Sequence, residues 1–123
     1  GTLYQDLQTE TNSNVIHRDP IIYDNINHEI EFIKDGVLDN IYKNEKHKYV
    51  NSVHHQGIKD LGEGLVVEAI SKSDSLIEAF RSVNGSDHLI LGVQWHPEFN
   101  GNIENKLISS DLLLSFFLNM IKK

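Results

Sequence analysis

Apolar and polar positions alternate in short runs over most of the chain and change to a longer period once, near the end. Residues 28–33 read His-Glu-Ile-Glu-Phe-Ile, with Ile30 and Phe32 on one face, which is the pattern of a half-buried strand. Asp35-Gly36 breaks it, and Val37, Leu38, Ile41 and Tyr42 fit one or two helical turns before a charged loop at residues 44–48. Residues 49–53 predict the next strand, which ends in His54-His55-Gln56-Gly57. A short segment at residues 58–61 then leads to the turn Gly62-Glu63-Gly64. Three β-like runs follow, at residues 65–70, 76–82 and 88–95, separated by Ser71-Lys72-Ser73-Asp74 and Asn84-Gly85-Ser86-Asp87. That spacing predicts an antiparallel meander. Within its last run, Leu89, Ile90, Leu91 and Val93 predict a buried strand that Trp95 carries to its end.

From about Asn105 to Ile121 the period becomes helical. Leu107, Leu114, Leu118 and Ile121, with Leu113, Phe117 and Met120 alongside, make an apolar face wide enough to predict a sheet beneath it. Asp111, Ser115 and Asn119 mark the wet stripe, and Lys122-Lys123 suit the negative end of the helix dipole. Residues 1–27 are mixed. Leu3, Tyr4 and Leu7 predict a docked turn, residues 9–14 and His17-Arg18-Asp19-Pro20 a polar loop, and residues 21–23 a brief apolar anchor. There are no internal repeats.

Composition narrows the class. The chain has 123 residues, 39% hydrophobic and 24% charged, which is enough for one globular domain with its own core. Its net charge is −7, and Lys43, Lys46 and Lys48 are its densest basic group. This argues against nucleic acid or an anionic membrane surface as a partner. No apolar run is long enough to span a bilayer, and the first residues carry no signal-peptide pattern. Cysteine is absent, which excludes disulfides, thiolate zinc sites and a cysteine nucleophile supplied by this chain. The one methionine is Met120, and Gly1-Thr2-Leu3-Tyr4 begins without run-in, so the chain reads as a fragment.

Two strand ends carry histidine: His54-His55-Gln56-Gly57 and His96-Pro97-Glu98. Pro97 disfavours the α region for His96, and in extended geometry residues two apart point the same way, so Glu98 reaches the imidazole. A carboxylate on one ring nitrogen fixes the tautomer and stabilises the imidazolium, as a general base requires. From spacing alone, a capped strand followed by a polar turn explains these residues equally well. If the two strands run the same way, both tips share one sheet edge, where open α/β sheets place their sites. Otherwise His54 and His55 are loop residues satisfied by water and backbone. A zinc site from His54, His55, His96 and Glu98 is a third reading, weakened because adjacent histidines on a strand face opposite ways. The serines lack a nucleophile elbow. Glu29 and Glu31 read as a solvated face, and His17, His28, His47 and His88 receive no role.

Taken together, several motifs occur in a recognisable order. These are Val50-Asn51-Ser52-Val53-His54-His55-Gln56, Leu61-Gly62-Glu63-Gly64-Leu65, Leu76-Ile77-Glu78-Ala79 and Gly92-Val93-Gln94-Trp95-His96-Pro97-Glu98. They resemble the C-terminal half of a class I glutamine amidotransferase-like protein, closest to the γ-glutamyl hydrolase branch (peptidase family C26). Gly1 to Leu7 resembles the segment that follows the nucleophile helix there. The resemblance implies an α/β fold: the C-terminal half of a flavodoxin-like sandwich, with a mixed sheet, an antiparallel meander and a C-terminal helix. It implies one partial domain over residues 1–123 and a Cys-His-Glu triad acting on γ-glutamyl amides, with His96 as base and Glu98 as its orienter. His54, His55 and Gln56 would line the glutamyl pocket. It implies no cofactor, no metal, and a cytoplasmic location.

The family's cysteine elbow lies upstream of the segment that Gly1 matches, so the resemblance implies a chain inactive by itself. It further implies apolar edges and helix faces left for a missing N-terminal half or for self-association. The alternative expectation is a non-catalytic remnant or oligomerising interaction domain of the same fold.

Overall fold

The computed structural model describes residues 1–11, 17, 26–83, 88–98 and 107–122. The expectations for residues 12–16, 18–25, 84–87, 99–106 and 123 lie outside the described residues. These are most of the polar loop, the apolar anchor, the second meander turn, the start of the last helix and its closing Lys123. The strands are β1 (Thr2–Tyr4), β2 (Asn27–Phe32), β3 (Tyr49–Asn51), β4 (Gly57–Asp60), β5 (Leu65–Ser71), β6 (Ile77–Ser82) and β7 (Leu91–Val93). The helices are α1 (Leu7–Glu10), α2 (Val37–Ile41) and α3 (Ser110–Ile121). One sheet of seven strands runs β1-β4-β6-β5-β2-β3, with β7 also paired to β6.

The α/β class and the meander hold. β5, β6 and β7 are successive antiparallel neighbours, turning at residues 71–74 as the polar cluster there predicts. The strand ladders are antiparallel, and an isolated parallel bridge between Tyr49 and Leu107 makes the sheet mixed. Four antiparallel steps separate β3 from β7, so the two histidine-bearing strands run in the same direction. Gly92 sits opposite Phe80 across the β6–β7 pair, and a Cβ there would meet the Phe80 ring at 2.6 Å. The missing side chain is what lets that ring lie across β7.

Alternation along β2 buries Ile30 and Phe32 as expected, and it buries His28 on the same face. These residues join Leu38, Tyr42, Val50, Trp95, Ile108 and Leu113 in the core. Each large apolar side chain taken out of water there contributes roughly 1.5–3 kcal/mol. Phe32 stacks on Tyr42 at 5.3 Å, and the Tyr42 hydroxyl donates to the Ser109 carbonyl at 2.9 Å, tying α2 to the start of α3. On β5, Glu68 is buried to 1% exposure. It accepts the Leu38 N–H in the first turn of α2 at 2.9 Å and the Arg81 Nε–H at 2.6 Å. Gly36 permits this approach, since a Cβ there would stand 2.8 Å from the Glu68 carboxylate.

Several expectations need correction. Residues 1–11 form β1 and α1 rather than a docked turn alone, because β1 finds a partner in β4, far along the chain. Strand β3 stops at Asn51, and β7 covers only residues 91–93, with Ile90 exposed rather than buried. Helix α3 starts at Ser110, because Leu107 bridges to Tyr49 and the Ile108 N–H donates to the Tyr49 carbonyl. A segment bonded to a strand cannot also be wound into a helix. Its apolar face is also not covered as expected: Leu113 is buried, but Leu114, Leu118 and Ile121 are 57%, 47% and 79% exposed.

Candidate functional site

Trp95 sets the position of the histidine that follows it. Its side chain is buried in the core just past β7, while the Gln94 N–H still donates to the Glu78 carbonyl and keeps the chain against β6. At His96 the backbone is gripped by the side chain of Asn51, the last residue of β3. The His96 N–H donates to Asn51 Oδ1 at 2.8 Å, and Asn51 Nδ2 donates to the His96 carbonyl at 2.6 Å. A buried amide thus replaces the ladder bonds that a longer β7 would have made, and it joins the two strand ends directly. Beyond it, Ser110 Oγ in the first turn of α3 donates to the Pro97 carbonyl at 2.7 Å.

The imidazole points out of this scaffold. His96 Nδ1–H donates to Glu98 Oε1 at 2.9 Å, with the two side chains 41% and 61% exposed. The hydrogen bond from His96 holds the Glu98 carboxyl below the ordinary glutamate range. With Nδ1 engaged, proton transfer at this histidine falls to Nε2. Sequence reasoning found the pair but missed Asn51, whose place at the end of a predicted strand beside a histidine-bearing segment was the available signal.

The second histidine strand end divides. His54 and His55 face opposite ways: His55 is exposed, and its carbonyl accepts the Leu7 N–H at 2.8 Å. Gln56 is half-buried, and its Nε2 donates to Gln5 Oε1 at 3.1 Å. His54 is buried and donates from Nδ1 to the Gln56 carbonyl at 2.7 Å. Its ring lies 4.9 Å from that of His17, which lies 5.0 Å from that of His28. Glu78 on β6 completes the group. One ligand atom from each of His17, His28, His54 and Glu78 lies within 4.8 Å of all the others. The zinc reading of His54, His55, His96 and Glu98 does not survive, because among the described residues His54 sits in this other cluster.

The cluster perturbs its members in opposite directions. Burial pulls the His28 pKa down, but the neighbouring Glu78 carboxylate outweighs it and leaves the group above the usual histidine value. At His54 burial wins over the same carboxylate, and the pKa is lowered.

The family model for peptidase C26 matches residues 1–98, a span that holds both strand ends and the Asn51 clamp. This chain belongs to the peptidase C26 family. Relatives agree with the peptidase C26 assignment. A putative glutamine amidotransferase of Schizosaccharomyces pombe is 39% identical over 122 residues, 99% of this chain and 44% of its own. A putative glutamine amidotransferase-like protein of Lactococcus lactis is 38% identical over 106 residues, 85% of this chain and 42% of its own. A γ-glutamyl-γ-aminobutyrate hydrolase of Escherichia coli is 40% identical over 75 residues, 61% of this chain and 28% of its own. The chain thus spans less than half the length of the peptidase C26 relatives it matches.

Proposed function

We propose that this chain is the histidine–glutamate portion of a thiol-dependent hydrolase that cleaves γ-glutamyl amides. The observation that carries the reading is the His96–Glu98 pair, bonded at 2.9 Å and held by its backbone at the end of a strand. In this reading a cysteine thiol from outside the 123 residues attacks the γ-carbonyl of the substrate. His96 takes the thiol proton and delivers it to the leaving amine as the thioester forms. Glu98 holds the imidazole in orientation and steadies its positive charge. Water, deprotonated by His96, then releases the γ-carboxylate and regenerates the thiol. His54, His55 and Gln56 belong to the wall of the glutamyl pocket in this reading, His55 being the exposed member. The protein would act in the cytoplasm, without a redox or organic cofactor.

The test starts from the coding sequence immediately before Gly1. A strand, a Gly-x-Cys-x-Gly elbow and a helix encoded there, whose inclusion yields cleavage of γ-glutamyl-γ-aminobutyrate that His96→Ala abolishes, supports the reading. Unrelated sequence in that position sinks it. A second reading, an oligomerising interaction domain, is favoured by the exposed Leu114, Leu118 and Ile121 of α3. It expects a stable oligomer of the chain by light scattering that Leu118→Glu disperses.

A further inference from the structure

The buried histidine cluster takes no part in the chemistry assigned to His96, and its electron pairs are poorly matched. His17, His28, His54 and Glu78 are 3%, 6%, 8% and 1% exposed. They come from separate parts of the chain: His28 from β2 and Glu78 from β6, on either side of β5, His54 from just beyond β3, and His17 from the segment before β2. A carbonyl oxygen only accepts, so two of the ring protons can be placed. His54 Nδ1–H goes to the Gln56 carbonyl at 2.7 Å, and His28 Nδ1–H to the Glu29 carbonyl at 3.4 Å. In the neutral imidazoles each Nε2 then presents a lone pair. Both lone pairs look toward the same acceptor: His28 Nε2 is 3.3 Å and His54 Nε2 3.8 Å from Glu78 Oε1. Neither nitrogen, nor either oxygen of Glu78, makes a hydrogen bond among the described residues. Acceptors facing acceptors, out of water, need a positive charge between them.

The geometry points to a divalent transition-metal ion, zinc above all, held by His17, His28, His54 and Glu78. Nitrogen and carboxylate ligands at about 2.0–2.1 Å in a tetrahedron lie about 3.3 Å from one another. The His28–Glu78 separation is already 3.3 Å, and the widest pair, within 4.8 Å, closes by modest side-chain movement. The outer contacts are those of ligating histidines, which hand their other N–H to a backbone carbonyl or a carboxylate. His28 and His54 use carbonyls, and His17 Nε2–H donates to Asp74 Oδ2 at 2.8 Å. This leaves Nδ1 of His17 as its ligand atom. It now lies 3.0 Å from Ser52 Oγ, a contact that gives way on binding. Asp74 also lines a surface cavity of about 190 Å³, so the outer contact of His17 reaches the surface. Four protein ligands close the coordination sphere, so the ion ties β2, β6 and the end of β3 together and activates no water. His54 then braces the glutamyl-pocket wall from within, its ring turned to the ion.

The test is a titration of the purified, untagged protein, stripped with a chelating resin, with zinc chloride at neutral pH. One zinc per chain, retained through desalting, and the intense visible bands of four-coordinate cobalt when cobalt chloride replaces zinc are the expected results. Glu78→Gln should weaken zinc binding by more than about 100-fold, beyond the roughly 10–100-fold typical of an outer-shell partner. His96→Ala should bind zinc as the parent does. The cobalt spectrum is read on the parent protein, so it stands even if Glu78→Gln does not fold. No saturable uptake and no cobalt bands would overturn the site and leave a proton as the charge between His28 and Glu78. Uptake that survives Glu78→Gln but fails in His96→Ala would overturn it as well.

Discussion

Glu68 and Glu78 lie ten residues apart on neighbouring strands, are equally buried at 1% exposure, and meet opposite surroundings. Glu68 has donors on both oxygens: the Arg81 Nε–H at 2.6 Å and the Leu38 N–H at 2.9 Å. It is a completed electrostatic joint between β5, β6 and the positive end of α2. Glu78 has two imidazole nitrogens within 3.8 Å and a hydrogen bond from none of them. The difference shows that burial of a carboxylate does not reveal its purpose, whereas the direction of its neighbours' protons does. A satisfied carboxylate is a part of the fold, and one surrounded by acceptors is set up for a cation.

The comparison can be broken most sharply at Arg81. Arg81→Met leaves Glu68 buried without its charge partner and should cost about 2–3 kcal/mol by denaturant melting. That is below the roughly 3–5 kcal/mol usual for a broken buried pair, since the arginine itself is 32% exposed. Asn51→Ala removes both bonds to the His96 backbone and should cost about 1–2 kcal/mol. It should also lengthen or scatter the His96–Glu98 contact, visible as a changed imidazole resonance. Glu78→Gln should behave unlike either: close to neutral in metal-free buffer, because among the described residues neither oxygen of Glu78 has a hydrogen bond to lose. With zinc at 100 times its Kd the parent should gain about 2.7 kcal/mol that this variant does not. An equal loss for Glu78→Gln and Glu68→Gln in metal-free buffer would erase the distinction between the two carboxylates.

The smallest effect lies at the exposed pair. The folded pKa of Glu98 is below its unfolded value, so the contact with His96 contributes above the unfolded pKa. That contribution fades as the pH falls through the lower folded value. A carboxyl-detected titration should show Glu98 protonating below the ordinary glutamate range, and His96→Ala should return it there, with little change in melting temperature.

The sequence exposes its periodic parts and conceals what is assembled from distant ones. The β5–β6–β7 meander and strand β2 follow from alternation and turn residues, and the His96–Glu98 contact follows from Pro97 and a spacing of two. His28 was equally legible, because it has the same parity as Ile30 and Phe32 and must share their buried face. Giving it no role overlooks that rule. Glu78 was not legible, since its neighbours Ile77 and Ala79 mark the other face of β6 as apolar and so suggest a wet glutamate. Only the arrival of His17 and His54 from loops makes its face an interior. The late start of α3 was hidden for the same reason, because the bridge that holds Leu107 runs to Tyr49, 58 residues away.

Trp95 is the sole tryptophan, its indole packed in the core with Ile108 and Leu113 one residue before His96. The molecule therefore carries a built-in fluorophore at the junction of strand end and helix. Its emission should be that of an apolar environment while the core is intact and shift to the red as the indole meets water. A substitution that silences His96 without moving this light has acted on chemistry alone, and one that shifts it has loosened the scaffold.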